Sequence, residues 1–511
     1  MPSISERVTE PPMSRNDPLP AHVRVAIVGS GFAGLGAAIR LRQAGYDDLV
    51  VLERADDLGG TWRDNTYPGC ACDVQSHLYS YSFAPNPDWS RLYCGAKEIH
   101  DYLQRVATEH GVRPHLRFGA ELLSADWDDA AQHWRLETAR GSLTADVLVA
   151  GTGPLSEPLI PDLPGLETFA GKAFHSARWD HEHDLTGRRV AVVGTGASAI
   201  QFIPEVAKQA GHTTVFQRTP AWVLPRRDRQ VKETARARYR ADPRRQQRVR
   251  TAIYWLRELN LVAFTGGGRM TRLAEKMARR HLAKQVTDPA LRDRLTPSYA
   301  IGCKRILLSD DYYPALIRPD VELVTAGVTE VRPYGVVDAD GREHEVDTII
   351  FGTGFHVTDQ PIAARVRGRE GRLLADVWGP SPQAYVGTTV AGFPNLFLLL
   401  GPNTVLGHTS VVYMIEAQLD YLVDAMRTMD ARRVASVDVR PDVVERFNAQ
   451  VQAKLKDTVW NAGGCRSWYL DAAGRNSSLW PMHTYRFKQA TKRFDADSYV
   501  LRRREKDAVG V

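Results

Sequence analysis

Twice in this chain a short apolar stretch runs straight into a glycine-rich turn. Residues 23–28 lead into Gly29-Ser30-Gly31-Phe32-Ala33-Gly34, and residues 190–193 into Gly194-Thr195-Gly196-Ala197-Ser198-Ala199. Apolar helical spacing follows each turn, over 35–44 and 200–210. A buried strand, a tight turn and a helix in that order open a βαβ unit, which commits the chain to parallel sheets with helices on both faces. The glycines let the backbone approach a pyrophosphate at the helix N-terminus, where free N–H groups and the helix dipole attract it. Both copies end alike: 19 residues past Gly34 stands Glu53, and 19 residues past Ala199 stands Arg218, followed by Thr219.

The change of sign at that last place distinguishes the two units. An acid there accepts hydrogen bonds from a free ribose 2′-hydroxyl, whereas an arginine pairs with a 2′-phosphate. Gly29, Gly31, Gly34 and Glu53 therefore read as an FAD site, and Gly194, Gly196, Ser198, Arg218 and Thr219 as an NADPH site. A flavin between NADPH and an acceptor gives one enzyme a reason to hold two dinucleotides.

At 511 residues and 43% hydrophobic content, the chain is long enough for several cores. No uncharged apolar run approaches the length of a membrane helix, and the first 20 residues, polar and proline-rich, read as a disordered tail rather than a signal peptide. Five cysteines without a C-x-x-C spacing speak against a disulfide scaffold, a zinc site or a dithiol flavin reductase, so no metal and a cytoplasmic location are expected. Residues 221–302 hold 20 Lys+Arg against 7 Asp+Glu, a balance of +13, so the rest carries −7 and the total is +6. That segment reads as a helical insertion with a solvated basic face, with Tyr254, Trp255, Leu259 and Val262 on apolar spacing. No binding motif accompanies the charge, so no nucleic-acid partner is expected, and without a long apolar run no membrane partner is expected either.

Two further stretches repeat a pattern, Asp146 through Thr152-Gly153 and Asp347 through Thr353-Gly354, each an apolar strand closed by Thr-Gly. They mark crossings between two Rossmann-like domains of an α/β fold. The expected division is an FAD-binding domain at 21–153 and 354–511, an NADPH-binding domain at 154–220 and 303–353, and the helical insertion at 221–302.

Between the first crossing and the second glycine turn lies Phe169-Ala-Gly171-Lys-Ala-Phe-His175-Ser-Ala-Arg-Trp179-Asp180. It resembles F-x-G-x-x-x-H-x-x-x-W-D, the fingerprint of type I Baeyer-Villiger monooxygenases. Further stretches are similar to that family: Gly60-Thr61-Trp62 through Asp73, Gly302-Cys303-Lys304-Arg305, Gly401-Pro402-Asn403, and Cys465 through Trp468-Tyr469. The resemblance implies a flavin enzyme that uses O2 and NADPH to convert a small-molecule ketone to an ester or lactone through a C4a-peroxyflavin. It implies that Arg305 is the cation over the flavin and that Asp73 is its partner. It implies FAD contacts from Gly60, Thr61, Trp62, Asp73 and Tyr79, and a role for Lys304 beside Arg218 on the 2′-phosphate. Phe169, Gly171, His175, Trp179 and Asp180 become structural residues of a domain junction, and Trp468 part of a segment closing over NADP+. A monomer or weak homo-oligomer is expected. The alternative is an N- or S-oxygenating flavin monooxygenase, against which Trp179-Asp180 and the Lys304-Arg305 pair argue.

Overall fold

The computed structural model describes residues 17–265 and 268–503. Strand His22–Val28 lies inside an eight-stranded sheet, pairing in parallel with Leu49–Leu52 on one side and Gly141–Ala150 on the other. Two antiparallel strands, His133–Thr138 and Leu122–Asp128, continue the sheet outward. Distant parts of the chain join it as well: Leu396–Leu398 pairs with Gly141–Ala150, and Val366–Arg367 with Leu122–Asp128. The second sheet has five strands, all parallel, in the order Val321–Val324, His212–Phe216, Arg189–Val193, Thr348–Phe351 and Lys172–His175. The α/β fold with two Rossmann-like sheets is thus formed.

The two crossings meet the two glycine turns. Gly29 has φ +95°, and a Cβ there would lie 2.7 Å from the Gly151 carbonyl oxygen; Gly194 has φ +104°, and its Cβ would lie 2.6 Å from the Gly352 oxygen. Any side chain at either place is excluded by both the backbone conformation and the neighbouring strand. Helix Phe32–Gln43 follows the first turn and packs against the long helix Val411–Arg432; helix Ala199–Val206 follows the second.

The basic segment leaves the second domain after strand Val223–Leu224, which pairs with Leu307–Leu308 on its return. Its main helices are Pro243–Leu259 and Arg269–Gln285. Of the four residues on apolar spacing only Tyr254 is buried; Trp255, Leu259 and Val262 are exposed. The reason is that helix Pro243–Leu259 turns a polar side inward, burying Gln246, Arg250 and Glu258 beside Tyr254. Of the expected disordered tail, residues 1–16 lie outside the described residues, whereas the Asp17 and Pro18 carbonyls accept hydrogen bonds from Arg140 and Arg117. Among the described residues no helix is long and apolar enough to cross a membrane, and no group of His, Cys, Asp or Glu could hold a metal ion.

Candidate active site and dinucleotide sites

Both turns fit a pyrophosphate. The helices begin at Gly31 and Ser198 without a side-chain cap and without an acid in the first turn, so their first N–H groups face no competing protein acceptor from the cap. Beside the first turn, Glu53 is buried and its Oε2 accepts from the Ser30 backbone N (3.0 Å) and Oγ (2.6 Å), while Oε1 lies 3.0 Å from Arg63. Gly60 sits against Gly31, with Thr61 opening the next short helix. The Trp62 indole donates to the Tyr79 hydroxyl (3.2 Å), and Tyr79 packs edge-on to Phe32 of the turn.

Beside the second turn, Arg218 is exposed and Thr219 half-buried. Partial burial and the nearby Arg218 charge hold the Lys304 ammonium below the ordinary lysine range. Among the described residues neither cation makes an ion pair, and Lys304 lies over the Tyr299 ring at 5.3 Å within reach of the Arg218 charge. Such a pair suits a phosphate.

The neighbour of Lys304 pairs with the loop that carries Asp73. Arg305 donates from Nε to Asp73 Oδ2 and from Nη2 to Oδ1, both at 2.8 Å, and the two side chains keep 29% and 25% exposure. Asp73 holds the guanidinium above its already high range despite partial burial; that burial pushes the Asp73 carboxyl up, but Arg305, aided by Arg257, outweighs it and holds the carboxyl below the ordinary value. Arg257, from the inserted helix, also donates to the Asp73 carbonyl (3.0 Å). Burial pushes the nearby Tyr469 hydroxyl up to about 12, with Arg305 opposing, so it is neutral at any ordinary pH. A narrow cleft opens beside Gly401-Pro402, walled by Pro154, Val357 and Val405.

The fingerprint residues form a brace rather than a cluster of reacting groups. His175 ends strand Lys172–His175; it is buried, its Nδ1 accepts from Ala177 N (3.1 Å), and its ring meets Phe355 edge-on. Burial lowers its pKa to about 4. Trp179 packs on Phe174 and Phe202, and Asp180 pairs with Lys172 at 3.3 Å. A Cβ on Gly171 would strike the Asp347 oxygen at 2.1 Å, while Phe169 packs on the core beneath that strand.

Three features lie outside the sequence-derived list. Gln201, on the second helix, accepts from the Tyr67 hydroxyl (2.9 Å) and donates to the Ala71 carbonyl (2.9 Å), clamping the Asp73 loop to the NADPH-side sheet. Glu258 is buried among His408, His483 and Thr484, joining the insertion to the loop after Gly401. Cys303 and Cys465 form a disulfide, although the cysteine spacing spoke against a disulfide framework; Cys70, Cys72 and Cys94 are free. It ties the Lys304-Arg305 strap to the segment carrying Trp468, which is 38% exposed and packs on Tyr469.

One mixed and one all-parallel sheet, each with an uncapped glycine turn, together with the Arg305–Asp73 fork, define a two-dinucleotide oxidoreductase. Residues 22–363 match the flavin-binding monooxygenase-like family, and the chain belongs to it. A Baeyer-Villiger monooxygenase of Streptomyces coelicolor is 53% identical over 500 residues, covering 98% of this chain and 96% of that protein. One from Pseudomonas aeruginosa is 49% identical over 489 residues, covering 95% and 93%. A cyclohexanone monooxygenase from Rhodococcus sp. Phi1, solved bound to NADP+, superposes with a TM-score of 0.85 at 29% identity, covering 95% of this chain and all of that one.

Proposed function

We propose that this protein is a Baeyer-Villiger monooxygenase that uses FAD, NADPH and O2 to insert one oxygen atom beside the carbonyl of a ketone, releasing an ester or lactone, NADP+ and water. The observation that carries the reading is the Arg305–Asp73 fork standing next to Lys304 on one strap, in a chain 53% identical to a protein of that name. Bound FAD supplies the redox centre that takes hydride from NADPH and passes electrons to O2.

The chain's own residues do the rest. Gly29, Gly31, Gly60 and Thr61 would hold the FAD pyrophosphate and Glu53 its ribose, with Trp62 and Tyr79 packed alongside; Gly194, Gly196 and Ser198 would cradle that of NADPH. Arg218, Thr219 and Lys304 would hold the 2′-phosphate. Arg305 remains protonated throughout turnover, and with Nε and Nη2 engaged by Asp73 its Nη1 is left to donate to an oxygen that becomes anionic as the ester forms. Trp468 would close over the nicotinamide nucleotide, and His175 would couple that closure to the junction between domains. We divide those domains at the Thr-Gly crossings, 21–153 with 354–511 for FAD and 154–220 with 303–353 for NADPH.

The test incubates purified enzyme with NADPH, isotopically labelled dioxygen and a panel of aliphatic, cyclic and aryl ketones plus a thioether. A single label in an ester or lactone is expected. Labelled sulfoxide without any ester would assign heteroatom oxygenation instead.

A further inference from the structure

Among the described residues, seven of the fifteen exposed large apolar side chains fall between Trp255 and Met277, on the insertion. Helix Pro243–Leu259 exposes Trp255 (51%), Leu256 (61%) and Leu259 (64%) on the side opposite buried Arg250 and Glu258. Val262 continues the exposure in the next turn. Helix Arg269–Gln285 exposes Met270, Leu273 and Met277, at the spacing i, i+3, i+7 that makes a single stripe. The two helices are tied through the short helix between them, where Thr271 donates to the Ala263 carbonyl at 2.7 Å. Exposed apolar side chains this concentrated in one segment are uncommon on a soluble monomer and mark a surface that meets something.

The charge beside the stripe says what. Arg269, Arg272, Lys276, Arg280 and Lys284 are exposed on the second helix, and among the described residues none makes an ion pair. Glu275 is the helix's one acid, and it is occupied by the Ile301 N–H. Arg486 and Lys488 add exposed positive charge around Tyr485, which packs on Trp255. Long apolar side chains with tryptophan, flanked by unpaired basic ones, form the pattern of a helix face that lies in a lipid headgroup layer. A second copy of the same face would bring like charges together.

We infer that the face of helices Pro243–Leu259 and Arg269–Gln285 docks the enzyme peripherally on an anionic lipid surface, the apolar residues entering the headgroup layer and the basic ones pairing with lipid phosphates. The sequence pointed to a merely solvated basic face and no membrane partner; the apolar stripe beside the charge changes that reading. The inference does not depend on the reaction proposed above.

The test is co-sedimentation of the full-length FAD-loaded protein with vesicles of phosphatidylcholine alone and of phosphatidylcholine with phosphatidylglycerol. Binding to the anionic vesicles only, weakening with salt, is expected. Replacing Arg272→Gln and Lys276→Gln together should lower partitioning about 25-fold, from roughly fivefold per basic residue at a lipid surface. Leu256→Ser with Leu259→Ser should lower it by about tenfold or more. The flavin spectrum and NADPH oxidation rate report that each variant is folded. Absence of binding to anionic vesicles, or binding untouched by both variants, overturns the inference. So does light scattering that finds a dimer broken by the leucine variant while neither form sediments with lipid, which would make the face a self-contact.

Discussion

Arg305 grips Asp73 across 232 residues of sequence through two parallel hydrogen bonds of 2.8 Å. The bidentate fork fixes the guanidinium plane, and each group holds the other in its charged form. A fixed cation stabilises the oxygen anion that develops during oxygen insertion, a step that comes after FAD binding and hydride transfer. Arg305→Ala should therefore bind FAD and be reduced by NADPH, yet form ester about 10²-fold more slowly, with hydrogen peroxide in its place. Arg305→Lys should recover little, because an ammonium cannot make the fork. Unchanged ester turnover in the alanine variant would remove Arg305 from this role.

How much of this was visible in the sequence depends on the distance over which each feature is made. The glycine turns, Glu53 and Arg218 are local: strand, turn and helix are consecutive, so spacing alone brought them out. The Arg305–Asp73 pair is not local, and Arg257 also reaches the same loop, so only the family resemblance singled out the partner. Gln201 reads as an ordinary helix amide until Tyr67 and Ala71 are seen against it. Cys303 and Cys465 lie 162 residues apart in a chain with five cysteines, and no count pairs them. In the insertion, Tyr254, Trp255, Leu259 and Val262 lie on apolar helical spacing among arginines, which reads as a helix with a solvated basic face. The structure buries Glu258 with His408 and His483 instead, leaving Leu259 outside, because the partner surface there is itself polar.

Among the described residues neither Arg218 nor Lys304 makes an ion pair, and on the proposed function their charge serves the nucleotide 2′-phosphate. A hydrogen bond to a charged group contributes about 1.5–3 kcal/mol, so Arg218→Ala should reduce the preference for NADPH over NADH by roughly 10- to 150-fold. The ratio of kcat/KM values for the two cofactors measures it. Lys304→Met should move the ratio the same way, and the double variant should lose less than the sum of the two if both hold one phosphate. A ratio that stays constant in Arg218→Ala would place that side chain elsewhere.

The Cys303–Cys465 bond anchors one end of the Trp468 segment to the strap that bears Arg305. Peptide mapping without reductant should find these two cysteines joined and Cys70, Cys72 and Cys94 free. Closing so long a loop constrains the unfolded chain, so Cys465→Ser should cost about 2–4 kcal/mol of stability. It should also speed tryptic cleavage after exposed Arg466, with the flavin spectrum unchanged. Equal cleavage rates with and without the bond would mean that the segment is held by packing alone.

His175 is buried, and its Nδ1 accepts a backbone hydrogen bond that only the neutral ring can accept. Burial accordingly lowers its pKa from 6.5 to about 4, and burial with the Arg250 charge does the same to His77, also to about 4. In the unfolded chain both rings take up a proton near the ordinary value, whereas in the folded chain they do so only near 4. Stability from these groups is therefore complete above about pH 6.5 and is lost as pH falls toward 4, by up to roughly 3 kcal/mol for each. Melting temperature measured across that window should drop, and His175→Gln, which keeps an acceptor but does not titrate, should flatten the drop. His175→Gln should also retain NADPH oxidation if the ring serves the domain junction, whereas a proton-transfer role would abolish turnover at every pH. A melting curve whose acid slope is the same in the variant would show that His175 takes up its proton over the same pH range in the folded and the unfolded chain.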